Sequence, residues 1–259
     1  NQPIARINSR IQVLVMGFFS SIGSAISGAF SSVCSGISSA VSSIGSALSS
    51  FATGAGSFIG GLVTALAPVA QALGRFANTF LQGLGILKPQ EDIQDLGDRA
   101  LQAANQGITL EKFADFDAYM EALREVKLDP EASAKRPQAE KLVAGLGLGT
   151  VGVEKKFGLE HGSMNNMWLL PITNPEYFTP ERMQNMVATG RLGGDVMAYL
   201  ENRLSGGDSM AFEKQLSVRQ DGSPMGKDET SQLYNALDIA KDTMANFHKV
   251  MENYTPPAP

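Results

Sequence analysis

Metal binding and nucleophilic catalysis draw on histidine, cysteine and clustered carboxylates, and this chain has few of the first two. His161 and His248 are its only histidines and Cys34 its only cysteine. His161 follows Glu160 in a glycine-rich stretch, and His248 falls on the last helical segment, away from its apolar seam. Neither has the neighbours of a metal-ligand set, and Cys34 lies among serines with no base near it in sequence. A lone cysteine forms no intrachain disulfide and leaves the redox compartment open; it reads as a small packing residue. The carboxylates Asp115 and Asp117 read as a solvated helix face. The run Gly145-Leu-Gly-Leu-Gly149 has the look of a phosphate-cradling loop, yet no Walker lysine follows and no strand precedes it. The expectation is a protein without catalytic residues, metal ligands or cofactor.

The densest apolar run outside the N-terminal half is Met164, Met167, Trp168, Leu169 and Leu170. It reads either as domain core or as an anchor for a partner, a role for which Trp and Met are favoured.

Charge is very unevenly placed along the 259 residues. No Asp, Glu, Lys, Arg or His occurs between Arg10 and Arg75, and every acid lies beyond Arg75. The net charge of −5 argues against a surface that grips nucleic acid by neutralising phosphates. Four segments follow: an arm at 1–10, an uncharged segment at 11–76, a linker at 77–89 and a soluble, mostly helical domain at 90–259.

The uncharged segment repeats every eleven residues. Ser20–Phe30 reads SSIGSAISGAF, Ser31–Val41 reads SSVCSGISSAV and Ser42–Ala52 reads SSIGSALSSFA, with a looser copy at Thr53–Val63. Ile22, Val33 and Ile44 share one column; Ile26, Ile37 and Leu48 share another; Phe30 and Val41 share a third. Spacings of four, four and three make a helical stripe, and eleven residues in three turns give a nearly straight or gently right-handed bundle. Gly23, Cys34 and Gly45 form a small-residue seam that lets neighbouring backbones approach. Gly and Ser are mediocre helix formers, so such a helix needs partners. The stripe and seam are therefore the expected oligomerisation surface. A continuous helix over 11–74 would be roughly 95 Å long, with Pro68 as its expected kink or end.

The flanks of the repeat are apolar enough to enter lipid, with Val13, Leu14, Phe18 and Phe19 before it and Phe58, Ile59, Leu62, Val63 and Leu66 after it. The middle holds fourteen serines between Ser20 and Ser50, which suits a pore wall better than a plain anchor. A leader peptide is the competing reading of Arg6 to Ala25, with basic, apolar and small-residue regions in order. A flexible Gly/Ser linker would need no stripe.

Beyond Gln90 the pattern predicts helices at 91–107 and 109–126, a connection at 129–141 and a short helix around Leu142. Residues 145–168 read as loop with a short strand at Thr150–Val153. Further helices are expected after the cap Thr179, over 194–204 and from a cap at Asp208. The last should run from Asp228 to Tyr254 with a heptad seam of Leu233, Leu237, Ala240, Met244, Phe247, Met251 and Tyr254. Leu237, Met244 and Phe247, like Met167 and Trp168, would face either the domain's own core or a partner chain.

A hydrophobic Gly/Ser/Ala-rich stretch of eleven-residue repeats beside a charged helical domain resembles phage DNA-ejection and pilot proteins and tail tape-measure proteins. The resemblance covers residues 11–74 and is one of pattern. It implies an all-α, non-enzymatic structural component of a virion or secretion apparatus, located in the virion or cell envelope. Such a component homo-oligomerises, meets other structural proteins of the same assembly and forms or plugs a channel reaching a membrane. DNA would then be transported cargo, not a sequence-specifically bound partner. The alternative is a membrane-inserting pore-former or translocator with a soluble regulatory domain.

Overall fold

Helix α1, Ala70–Gly83, spaces Ala70, Leu73, Ala77, Phe80 and Leu81 along one buried face. The computed structural model that places it describes residues 70–252 except His161 and Asn165, with side chains to residue 245. Among the described residues there are ten α-helices and no strand. The only pairing of extended residues among them is a bridge between Val218 and Pro224. The chain is therefore all-α over this range. The eleven-residue repeat and Pro68 lie outside it.

The expected linker at 77–89 is instead the second half of α1 and a tight turn. Gly85, at φ 71, lets the Ile86 amide return to the Leu81 carbonyl at 2.9 Å, and Leu84 and Leu87 are buried. Asn78 then receives the next helix. Its Oδ1 accepts from the Ile93 amide at 2.7 Å and its Nδ2 donates to Asp92 at 2.7 Å. Asp92 caps α2, Ile93–Asn105, as acids at a helix start do.

The largest departure from expectation is α5. Residues read as loop and strand belong to a 20-residue helix, Gln138–Phe157, which packs chiefly on α2. Each glycine costs a helix about 1 kcal/mol relative to alanine, so the glycines must be compensated elsewhere. Packing supplies it. A Cβ on Gly145 would stand 2.2 Å from the Ile93 carbonyl oxygen, and one on Gly97 would stand 1.9 Å from the Lys141 carbonyl oxygen. The two backbones touch where both chains have glycine, and neither tolerates a side chain there.

The expected helix over 109–126 is split into a 3₁₀ turn, Leu110–Lys112, and α3, Phe116–Glu125. Asp115 makes the break by capping α3, its carboxylate accepting from the Ala118 amide at 2.8 Å. Asp129 likewise starts a short helix, α4, Pro130–Lys135, inside the expected connection. Four helices follow: α6, Leu169–Thr173; α7, Pro180–Ala188; α8, Val196–Leu200; and α9, Gly206–Leu216. Thr179 caps α7 as expected. The expected helix at 194–204 shrinks to α8, because Asn202 turns left-handed at φ 54 and closes the helix. Ser205, not Asp208, caps α9, with Asp208 bonded back to the Ser205 hydroxyl at 2.7 Å. The last helix, α10, runs Lys227–Glu252 and packs on α6 and α8. Leu233, Leu237, Ala240 and Met244 of its seam join a single core that also holds Phe80, Leu101, Leu123 and Trp168.

Candidate functional site

Sequence reasoning placed its sites mainly in residues outside the described range. The oligomerisation set, Ile22 to Leu48, and the membrane-contact set, Val13 to Leu66, lie there, as do Cys34 and His161. Of the residues read as facing either the domain's own core or a partner chain, four are described. Met167 and Trp168 are 2% and 1% exposed, and Leu237 and Met244 are equally buried, all within this chain's own core. Trp168 packs edge-on against Phe80, and its indole N–H donates to Thr150 Oγ1 at 2.9 Å. A tryptophan with its one polar atom satisfied inside the domain has nothing left to offer a partner. The side chains of Phe247 and His248 lie outside the described residues.

The ionisable side chains gather in places that sequence inspection does not mark. Asp98, on α2, is 1% exposed and sits among four donors, one from α2 itself, two from α4 and its C-terminal cap and one from α5. Arg136 Nη1 is 2.9 Å away, Lys141 Nζ 3.5 Å and Gln102 Nε2 3.3 Å, with the Ser133 hydroxyl also donating to it. Gln102 in turn accepts from the Asp129 amide at 2.8 Å. Every oxygen is engaged, so the cluster ties α4 and α5 to α2 and leaves no open position for a ligand.

A cavity of about 400 Å³ opens between the turn after α1, helix α3 and the end of α5. Ile86, Phe116 and Met120 make its apolar floor, and Lys88, Arg124, Lys155 and Lys156 stand around it with Asp117. Gly152 lets the floor close: a Cβ there would meet Ile86 at 2.7 Å. Arg124 is not free, since its Nε donates to Glu91 at 2.6 Å and Nη1 to Glu121 at 2.5 Å. The Glu91 bond holds Arg124 above its usual range against the opposing effect of burial. For Glu91, burial pushes the carboxyl up, but the Arg124 bond, the Lys88 amide and both positive charges outweigh it and leave the carboxyl lowered. Lys155 and Lys156 have no ion-pair partner among the described residues; in the last turn of α5 they also suit the helix dipole. Chemically the cavity can hold an anionic group against an apolar floor. Its lining offers no nucleophile paired with a base.

Among the described residues no group of three or more His, Cys, Asp or Glu could hold a metal ion. No described helix is long and apolar enough to cross a membrane. The chain matches no family model, no curated protein and no solved structure.

Proposed function

We propose that this chain is a non-enzymatic structural component of a virion or secretion apparatus. Its uncharged repeat assembles several copies into a helical bundle that forms or plugs a channel reaching a membrane. The carrying observation is the repeat itself: three uncharged eleven-residue copies, Ser20 to Ala52, with an apolar stripe, a small-residue seam and a serine face. Such a surface has no use in an isolated chain, because Gly and Ser weaken a lone helix and a stripe without a partner stays wet. Along the chain the segment is followed by α1, whose Ala70, Leu73 and Ala77 belong to the domain core. The chain thereby couples an assembling segment to a packed helical body. A serine-faced, uncharged lumen offers phosphate few places to stick, which suits DNA or protein as passing cargo.

A membrane-inserting pore-former or translocator is the second reading, favoured by the apolar flanks Val13 to Phe19 and Phe58 to Leu66. Adding the purified chain to dye-loaded liposomes separates the two. A component that needs its neighbours leaves the dye inside, whereas a self-sufficient pore-former releases it. Release that persists after Ile26, Ile37 and Leu48 are replaced by glutamate would remove the assembly role assigned to the repeat.

A further inference from the structure

Lys155 and Lys156 stand side by side in the last turn of α5, both exposed and both without an ion-pair partner among the described residues. Each lines the cavity of about 400 Å³ between the turn after α1, helix α3 and the end of α5. That volume falls in the range in which cavities hold small organic molecules. The floor beneath is apolar. Phe116 and Met120 are 6% and 3% exposed, Ile86 is half-buried, and all three border the cavity. A Cβ at Gly152 would stand 2.7 Å from Ile86 and 3.2 Å from Phe116, so only glycine lets α5 close against both.

The other two cations of the rim are already engaged. Arg124 gives Nε and Nη2 to Glu91 at 2.6 and 3.2 Å and Nη1 to Glu121 at 2.5 Å, so its planar fork has no pair of donors left. Lys88 pairs with Glu121 at 3.7 Å. Asp117, exposed in the first turn of α3, adds a third carboxylate. Four cations thus stand with three carboxylates, which leaves one positive charge in excess, in a chain whose net charge is −5.

These residues constrain a ligand in both charge and shape. A single negative charge neutralises the excess. The double charge of a phosphate monoester exceeds it, and the arginine fork that phosphate favours is occupied. Lysine ammonium groups meet a carboxylate as point charges and demand no fork geometry. An apolar body is required as well, because Ile86, Phe116 and Met120 give a bare anion no side-chain hydrogen-bond donor. A chain laid over them leaves water, and the stems of the two lysines can extend the apolar contact.

We propose that this cavity binds an aliphatic monocarboxylate of medium chain length. Its carboxylate lies between Lys155 and Lys156, and its chain covers Ile86, Phe116 and Met120. The ligand thereby joins the end of α5 to α3 and to the turn after α1. Binding here is independent of the assembly role of the repeat.

Calorimetric titration of the full chain with sodium octanoate tests this, with sodium butyrate and octanol offering the head and the tail separately. The expected result is saturable binding of one octanoate per chain, about tenfold or more tighter than butyrate or octanol. Lys155→Gln combined with Lys156→Gln should weaken it about tenfold, since both attracting charges are gone. Asp117→Asn removes a repelling charge and should tighten it about threefold. Lys214→Gln, in the last turn of α9, is the control and should leave the affinity unchanged. All four side chains are exposed, so each variant should keep its fold, with unchanged Trp168 emission as the check. No saturable heat up to about 10 mM octanoate, unaltered affinity in the double lysine variant, or no tightening in Asp117→Asn would overturn the proposal. So would octanol bound as tightly as octanoate, the mark of uptake by apolar residues elsewhere in the chain. Butyrate bound as tightly would overturn it too, by showing a plain anion site.

Discussion

At the scale of single residues, two glycines and one aspartate govern how α2 meets α5. A methyl group on Gly145 would collide with the Ile93 backbone, which cannot rotate away as a side chain can. Gly145→Ala is expected to destabilise the protein by about 2 kcal/mol, read from a denaturant midpoint. Gly206, on the exposed first turn of α9 with open space around it, is the control, and Gly206→Ala should change stability by no more than about 0.5 kcal/mol. Asp98→Asn removes the carboxylate that Arg136 and Lys141 both approach, leaving half-buried cations without a partner. The expected loss is about 3 kcal/mol by the same measurement. Little of this was legible in the sequence. The cap at Thr179 could be read, because it depends on a few neighbouring residues. The Asp98 cluster draws on positions 98, 102, 133, 136 and 141, and the Glu91 ion pair on 91 and 124, so no local spacing announces either.

At the scale of elements, periodicity was a good guide wherever propensity and packing agree. Helices α2, α7 and α10 fall close to their expected places because capping and apolar spacing point the same way. Helix α5 was missed because its glycines have poor local propensity, and their reward comes only from α2, α1 and α3 pressed against them. The seam of α10 was legible as a stripe but silent about its partner. The structure turns Leu233, Leu237, Ala240 and Met244 inward, and this gives a direct expectation. Leu237→Asp should cost roughly 4 kcal/mol and shift Trp168 emission, the chain's only tryptophan signal, to the red. Tyr234→Asp, on the exposed side of the same helix, should leave that emission unchanged. The join between α3 and the turn after α1 carries a pH dependence. The Glu91 carboxyl lies below its ordinary value of 4.5 in the folded chain. Its ion pair with Arg124 therefore stabilises the fold fully above that value and is lost as pH falls through the lower folded value. Glu91→Gln should reduce stability by about 1 kcal/mol at pH 7, with the difference shrinking as the pH is lowered into the acid range.

At the scale of the whole molecule, the chain divides by charge more sharply than by length. The half beyond Arg75 carries every acid and folds around one core; the half before it carries the repeat and, after Arg10, no charge. The fold confirms the all-α class for the described residues, and Ala70, Leu73 and Ala77 already belong to its core. The account as a whole stands on the repeat as an assembly surface. Analytical ultracentrifugation of the full chain, compared with the same chain carrying Ile26→Glu, Ile37→Glu and Leu48→Glu, addresses that claim most directly. These three residues occupy one column of the repeat, so the charges fall on a single stripe and leave the residues of the helical core untouched. The account predicts a defined oligomer for the unaltered chain and a monomer with unchanged Trp168 emission for the substituted one. An oligomer of the same size in both would contradict it.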